Sequence, residues 1–433
     1  MNYYSTNGAS PLTDFREATI SGQAPDKGLY FPERIPAVDK QLLNSMEEMS
    51  DAEIALEIIR PYAGNTIPPD ELQRIVSETL NFPIPLVPVN GDIAALELFH
   101  GPTLAFKDVG ARFMSRCLGY FLKNETKKVT VLVATSGDTG GAVASGFYGV
   151  EGVEVVILYP SGMVSPVQEK QLTTFDKNIR ALEVQGSFDD CQQMVKQAFA
   201  DTELKEKLFL TSANSINVAR WLPQQFYYFL AYKQWADKDQ PPVIAVPSGN
   251  FGNICAGMMA KASGLPVGHF IAACNVNDIV SAYLDTGLLQ PRAAVPTLSN
   301  AMDVGNPSNF IRILEIVKHQ VPLLKEQFSA VTVTDRETLD TIRSVYGQYG
   351  YLLDPHGAVG YKALQDYLSV HPGKKGIVLE TAHPVKFPAA VEAVTGEPVA
   401  LPVFLEELMR RPAQKETVKP YYSVLKDYLL RRA

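Results

Sequence analysis

The alternation of short β-branched runs with helical stretches constrains this chain more than any other feature of its sequence. Lys128 to Ala134 is an apolar, β-branched run, and the small-residue loop Thr135-Ser136-Gly137-Asp138-Thr139-Gly140 follows it. Gly141 to Tyr148 then carries a helical pattern, and Val153 to Tyr159 is apolar again. That is one strand-loop-helix-strand unit. Ile179 to Val184, Leu208 to Thr211, Val243 to Val246, Ile271 to Cys274, Ala330 to Thr334 and Gly376 to Leu379 continue the series. Short strands that are apolar on both faces need cover on both faces, so the pattern predicts an α/β fold of mostly parallel sheet flanked by helices. At 433 residues the chain is long for one domain, and two such sheets are expected rather than one.

The first eighty residues read differently. Val38 to Met49 and Asp51 to Tyr62 have helical spacing, and a polar loop with Pro68 and Pro69 comes next. The stretch Phe82-Pro83-Ile84-Pro85-Leu86-Val87-Pro88 cannot continue a helix and reads as a boundary. The expected division is an N-terminal domain over 1–80 and a second region over 81–433 made of two α/β subdomains. Lys415 to Ala433 reads as a polar, terminal helix packed on the body.

Charge and composition exclude several classes of function. Lys and Arg number 39 against 47 Asp and Glu, a net charge of −8 that favours neither nucleic acid nor acidic membrane as partner. A small anionic substrate is allowed, provided its site is a local cationic pocket. The opening residues, Met1 to Pro11, do not have the pattern of a signal peptide, and no apolar stretch approaches the roughly 20 residues of a membrane span. Cys117, Cys191, Cys255 and Cys274 lack metal-type spacing and read as buried thiols of a reducing cytoplasm. The six histidines are equally dispersed, and no metal is expected.

The chemistry begins at His100-Gly101-Pro102-Thr103-Leu104-Ala105-Phe106-Lys107-Asp108. Leu96, Leu98, Leu104, Ala105 and Phe106 form an apolar approach to Lys107, and Val109, Phe113, Cys117 and Phe121 then recur every four residues, as on a helix with one buried face. In an apolar cleft an ammonium is disfavoured, which leaves more free amine to attack carbonyls. That is what a Schiff-base lysine needs; the plain alternative is a surface lysine at the end of a loop.

In open parallel sheets, ligands bind where loops leave the carboxyl ends of strands and present amides at helix N-termini. Three loops have that placement. Pro247-Ser248-Gly249-Asn250-Phe251-Gly252-Asn253 follows the Val243 strand, and its two glycines let several amides approach one anion. It is neither a Walker loop nor a three-glycine dinucleotide fingerprint, and a tight turn without a ligand is its alternative reading. Thr135 to Gly140 could hold a carboxylate or phosphate, or could simply cap a helix. Glu380-Thr381-Ala382-His383-Pro384-Val385-Lys386-Phe387 offers the Thr381 hydroxyl, with His383 and Lys386 able to meet an anion or merely to form a turn. Together they suggest a pyridoxal 5'-phosphate site: the aldehyde on Lys107, the phosphate on Gly249, Asn250, Phe251, Gly252 and Asn253, the ring nitrogen on Thr381. A neutral hydroxyl partner leaves that nitrogen largely unprotonated, which suits elimination and replacement better than transamination.

These motifs, in this order, make the chain similar to the threonine synthase family from end to end. Phe15-Arg16-Glu17-Ala18 and Ala24 to Pro32 resemble that family's N-terminal domain; Asn275 to Asp278, Ala301 to Val304 and Asp354-Pro355-His356-Gly357 resemble further segments. The resemblance implies the tryptophan synthase β-like fold, also called pyridoxal-phosphate fold type II. It implies conversion of O-phospho-L-homoserine and water to L-threonine and phosphate, with Lys107 as the catalytic residue. The substrate carboxylate is expected on Thr135, Ser136 and Thr139, and its phosphate on Lys386, with Arg112, Asn275 and Asn277 as further candidates. Asp138 departs from an asparagine found in related enzymes and cannot donate the same hydrogen bond when ionised. Asp138 is therefore left out of the cofactor contacts. A serine or threonine dehydratase of the same fold is the competing reading. A cytoplasmic monomer or small homo-oligomer is expected.

Overall fold

The computed structural model describes residues 1–123, 125 and 128–432. The chain forms two compact units, the first made of Met1, Phe31–Phe106 and Trp221–Ala400, the second of Asn2–Tyr30, Lys107–Arg220 and Leu401–Ala433.

The first unit is built on a six-stranded sheet in the order Phe328–Thr332, His269–Cys274, Val243–Pro247, Gly376–Glu380, Ile93–Glu97, Leu86–Pro88. The first five are mutually parallel and the last runs antiparallel. Every residue of Val243–Pro247 and Gly376–Glu380 is buried, as strands covered on both faces require. Helix Pro355–Ser369 covers part of this sheet, with Ala358, Val359, Ala363 and Leu364 in a core shared with Val243, Ala245, Ile271 and Val378. The Asp354 side chain caps that helix by accepting the Gly357 N–H, and Pro355 occupies the first helical position, where no amide is needed.

The second unit has a five-stranded, wholly parallel sheet in the order Glu416–Val418, Ile179–Val184, Val153–Pro160, Val129–Ala134, Phe209–Ser212. Helix Lys107–Leu122 buries Val109, Phe113, Cys117 and Phe121, the four residues whose spacing predicted it. Phe15 packs against Phe113 and Phe121 at ring distances of 6.4 and 6.2 Å.

Several expectations change. The polar stretch at Pro68 and Pro69 is the start of a helix, Pro69–Thr79, because proline at the first position fits the helix. The proline-rich link contains an edge strand, Leu86–Pro88, a place in a sheet where proline's missing donor is harmless. The strand expected over Ala330 to Thr334 lies two residues earlier. Lys415 to Ala433 is not one helix: Glu416–Val418 adds a strand beside Ile179–Val184, Pro420 follows, and the helix is Tyr422–Leu430, while Ala433 lies outside the described residues. Thr417 and Val418 are β-branched and find an open sheet edge, which local sequence does not reveal. Compactness is a separate matter from the division at residue 80: 2–30 and 31–80 pack in different units. A boundary read from prolines marks a change in local structure, whereas compactness is decided by long-range packing.

The four cysteines are buried and outside any disulfide, and burial raises the thiols of Cys191, Cys255 and Cys274 to about 12. Among the described residues, no helix is long and apolar enough to cross a membrane, and no His/Cys/Asp/Glu group could hold a metal ion.

Candidate active site

Ile93–Glu97, Gly376–Glu380 and Val243–Pro247 are neighbouring parallel strands, so the loops leaving their carboxyl ends share one edge of the first unit's sheet. Those loops are 98–106, 381–387 and 248–253. Topology thus brings together three sequence segments separated by more than a hundred residues. The Phe106 N–H donates to the Thr381 carbonyl at 2.9 Å and the His383 N–H to the Leu104 carbonyl at 3.1 Å, which stitches the approach to Lys107 onto the Thr381 loop. Thr381 itself is buried.

The loop 248–253 is braced from outside. Asn250 Oδ1 accepts the Ser308 N–H and hydroxyl at 2.7 and 2.8 Å, and its carbonyl accepts the Asn309 side chain. Phe251 has φ +61°, a left-handed conformation a phenylalanine adopts only when its surroundings hold it, and its ring packs edge-on to Phe310 at 5.7 Å. Gly249 lies so close to Met302 that a Cβ would stand 2.5 Å from the Met302 Cα. The helix Gly252–Ala262 starts without any side-chain cap, leaving its first N–H groups for an anion. Asn253 is buried, with Oδ1 accepting the Tyr227 and Tyr228 phenols at 2.7 Å each, and among the described residues its Nδ2 has no acceptor. A buried amide donor beside uncapped backbone N–H groups fits the phosphate of pyridoxal phosphate.

Lys386 is fully buried, and its Nζ donates to the Thr103 carbonyl at 2.8 Å. Its charge is therefore tied to the turn that leads into Lys107. Asn275 and Asn277 both donate through Nδ2 to Asp303, at 2.9 and 3.1 Å, so these amides serve an internal network. Burial raises the Asp303 carboxyl above its ordinary range.

In the second unit, Lys107 is the first residue of helix Lys107–Leu122, directly after Phe106 in the chain. Thr135, Ser136 and Thr139 lie where strand Val129–Ala134 gives way to helix Asp138–Phe147. The Thr135 hydroxyl oxygen accepts the N–H groups of Gly137 and Gly140 at 3.0 and 2.9 Å, which shapes the loop. Asp138 accepts from Gln168 Nε2 at 2.9 Å, a contact an aspartate makes without any proton of its own.

Sequence reasoning passed over a group of acids behind the Thr381 loop, Glu380 and Asp354 buried and Glu97 partly so. Glu380 is fully buried, beside Asp354. Burial, and then the negative charge of Asp354, push its pKa well above the ordinary range. Asp354 also accepts from His356 Nδ1 at 2.6 Å. Glu97 holds His100 at 2.6 Å and the Tyr351 hydroxyl at 2.9 Å. Sequence offers only that Glu97 and Glu380 each close an apolar run; their pairing across adjoining strands is decided by the sheet.

With this geometry in hand, comparison with known proteins is decisive. Residues 80–380 match the pyridoxal-phosphate dependent enzyme family, 2–80 the threonine synthase N terminus, and 357–429 the threonine synthase C-terminal region. The chain belongs to the threonine synthase family. It is 43% identical to the Escherichia coli threonine synthase over 431 residues, covering 99% of each chain. The crystal structure of the Escherichia coli threonine synthase superposes with a TM-score of 0.93 at 42% identity, covering 100% of both chains. A pyridoxal-phosphate-bound threonine synthase from Brucella melitensis gives 0.93 at 38% identity, over 100% of this chain and 99% of that one. The fold is the expected pyridoxal-phosphate fold type II.

Proposed function

We propose that this chain is a threonine synthase that converts O-phospho-L-homoserine and water to L-threonine and inorganic phosphate. The observation that carries the reading is the uncapped, externally braced loop 248–253 with the Asn253 Nδ2 donor unpartnered among the described residues, on the sheet edge that also presents Thr381 and the approach to Lys107. The match of the first eighty residues to the threonine synthase N terminus favours this reading over a dehydratase. It also supports 1–80 as an N-terminal domain, joined to a catalytic region over 81–433.

Pyridoxal phosphate, when bound, supplies an electron sink for negative charge developing beside the substrate's nitrogen. The residues of the chain then divide the work. Gly249, Asn250, Phe251, Gly252 and Asn253 form the phosphate cradle, and Thr381 hydrogen-bonds the ring nitrogen while leaving it neutral. Lys107 would hold the cofactor and, once freed as an amine, takes protons from the substrate Cα and Cβ and returns protons to Cγ and Cα. The γ C–O bond breaks with its electron pair leaving on phosphate, Cγ gains a proton to become the methyl group, and the oxygen of water bonds to Cβ as water gives up a proton to the departing phosphate. Thr135, Ser136 and Thr139 hold the substrate carboxylate, and Lys386 supplies positive charge for the departing phosphate. The enzyme acts as a cytoplasmic monomer or small homo-oligomer.

Borohydride reduction followed by peptide mapping is expected to leave the pyridoxyl group on Lys107, and phosphohomoserine to release phosphate. A label on another lysine overturns the assignment. Equal turnover of homoserine and phosphohomoserine, or keto-acid release from threonine as the main activity, overturns the function.

A further inference from the structure

Asp354 and His356 link two regions that the proposed cofactor needs. His356 is buried, and its Nε2 accepts the backbone N–H of Ala301 at 3.2 Å. With Nε2 accepting, the ring's hydrogen stands on Nδ1, where it donates to Asp354 Oδ2 at 2.6 Å. The ring packs 4.9 Å from that of Phe387. Ala301 belongs to the short 3-10 turn Asn300–Met302, and Met302 is the residue lying against Gly249. The other oxygen of Asp354 caps helix Pro355–Ser369 through the Gly357 N–H at 2.7 Å. Glu380, which directly precedes Thr381, lies against Gly357, where an added Cβ would run into its carboxyl.

We propose that Asp354 and His356 are positioning residues, which fix the Asn300–Met302 turn against Gly249 and so hold the phosphate cradle in its binding shape. The inference rests on the proposed cofactor site. Its logic is one of hydrogen-bond polarity. The Ala301 N–H needs an acceptor, the imidazole provides one only as the Nδ1–H tautomer, and the Asp354 carboxylate selects that tautomer because it can only accept. Asp354→Asn keeps the size and, through its oxygen, the helix cap. It places an NH₂ before Nδ1, so the ring must carry its hydrogen on Nε2, donor against donor at Ala301.

The experiment compares apo-protein binding of pyridoxal phosphate with that of pyridoxal, which lacks the phosphate. Histidine ¹⁵N spectra report the tautomer independently of activity. Asp354→Asn is expected to weaken pyridoxal phosphate binding about tenfold or more, to leave pyridoxal binding unchanged, and to move the His356 hydrogen from Nδ1 to Nε2. His356→Gln, whose side-chain oxygen reaches the Nε2 position, should retain binding near wild type, whereas His356→Phe should lose it selectively. Parallel losses for both ligands mark general loosening and overturn the proposal, as does wild-type binding in Asp354→Asn or an Nε2–H ring in the wild type. If Asp354→Asn does not fold, the His356→Gln and His356→Phe pair decides, and equal affinities in these two variants overturn the proposal. A wild-type protein that binds pyridoxal but not its phosphate defeats this inference together with the cradle assignment. One that binds the phosphate normally while Asp354→Asn does too defeats the inference alone.

Discussion

Gly249→Ala places one methyl group where the fold has room for none. The new Cβ would stand 2.5 Å from the Met302 Cα and 3.1 Å from its carbonyl carbon and oxygen. Carbon atoms settle about 3.5–4 Å apart, so loop and turn must separate by about 1 Å. The obstacle is backbone, and no side-chain rotation relieves it. Overpacking of this kind costs about 1–3 kcal/mol of stability. A displacement of about 1 Å within a positioned constellation costs about 10²-fold in function. The variant is therefore expected to fold with a lowered thermal midpoint and to bind pyridoxal phosphate about 10- to 100-fold more weakly. Absorbance titration of the apo-protein and a thermal melt measure the two effects. Gly347→Ala is the control: it lies in helix Asp335–Tyr349 with open space around its Cβ position, and should gain about 0.5–1 kcal/mol without altering affinity. Affinity of Gly249→Ala within threefold of wild type would refute the reasoning.

Three further outcomes are expected. Thr381→Val keeps shape but removes the hydroxyl, and should weaken cofactor binding by about 1 kcal/mol, or about fivefold, in the same titration; unchanged affinity would remove Thr381 from the ring nitrogen. Lys386→Met should raise KM for phosphohomoserine about tenfold while the cofactor spectrum stays intact, and an unaltered KM would confine Lys386 to supporting the Thr103 turn. Burial lowers the pKa of the His269 imidazole to about 4, so between that value and the unfolded pKa of about 6.5 the unfolded chain binds the extra proton. Stability from this residue is fully present above the unfolded pKa and is lost as pH falls toward the folded one, by up to about 1.4 kcal/mol per pH unit. His269→Phe, able to keep the stack on Tyr367, should flatten the change in denaturation midpoint between pH 7 and 5; an unchanged slope excludes His269 as its source.

Local periodicity carried a large part of the fold. Val109, Phe113, Cys117 and Phe121 are four apart because one helix face is buried, and Val129 to Ala134 is apolar at every residue but Thr130 because that strand is covered on both faces. The loops after strands were equally legible, since small residues and glycines are needed wherever backbone must turn sharply at a strand end. Elements whose stability comes from a distant partner were not. Glu416–Val418 is a strand only because Ile179–Val184 offers an open edge, and Pro69–Thr79 looked like a loop because proline is read as a breaker before its position in the helix is known.

The same distinction runs through the site. Sequence by itself determined the kind of chemistry available: one lysine after an apolar approach, an amide-rich loop, a hydroxyl at a strand end. Only tertiary structure decided that Ile93–Glu97, Gly376–Glu380 and Val243–Pro247 lie side by side, which places segments far apart in the chain on one sheet edge. It also decided which donors are already committed. Lys386 serves the Thr103 carbonyl, Asn275 and Asn277 serve Asp303, and His356 stands between Asp354 and Ala301. Residue type states what a side chain can donate or accept. Which partner it meets depends on strand order and packing, and those are set by burial summed over the whole chain.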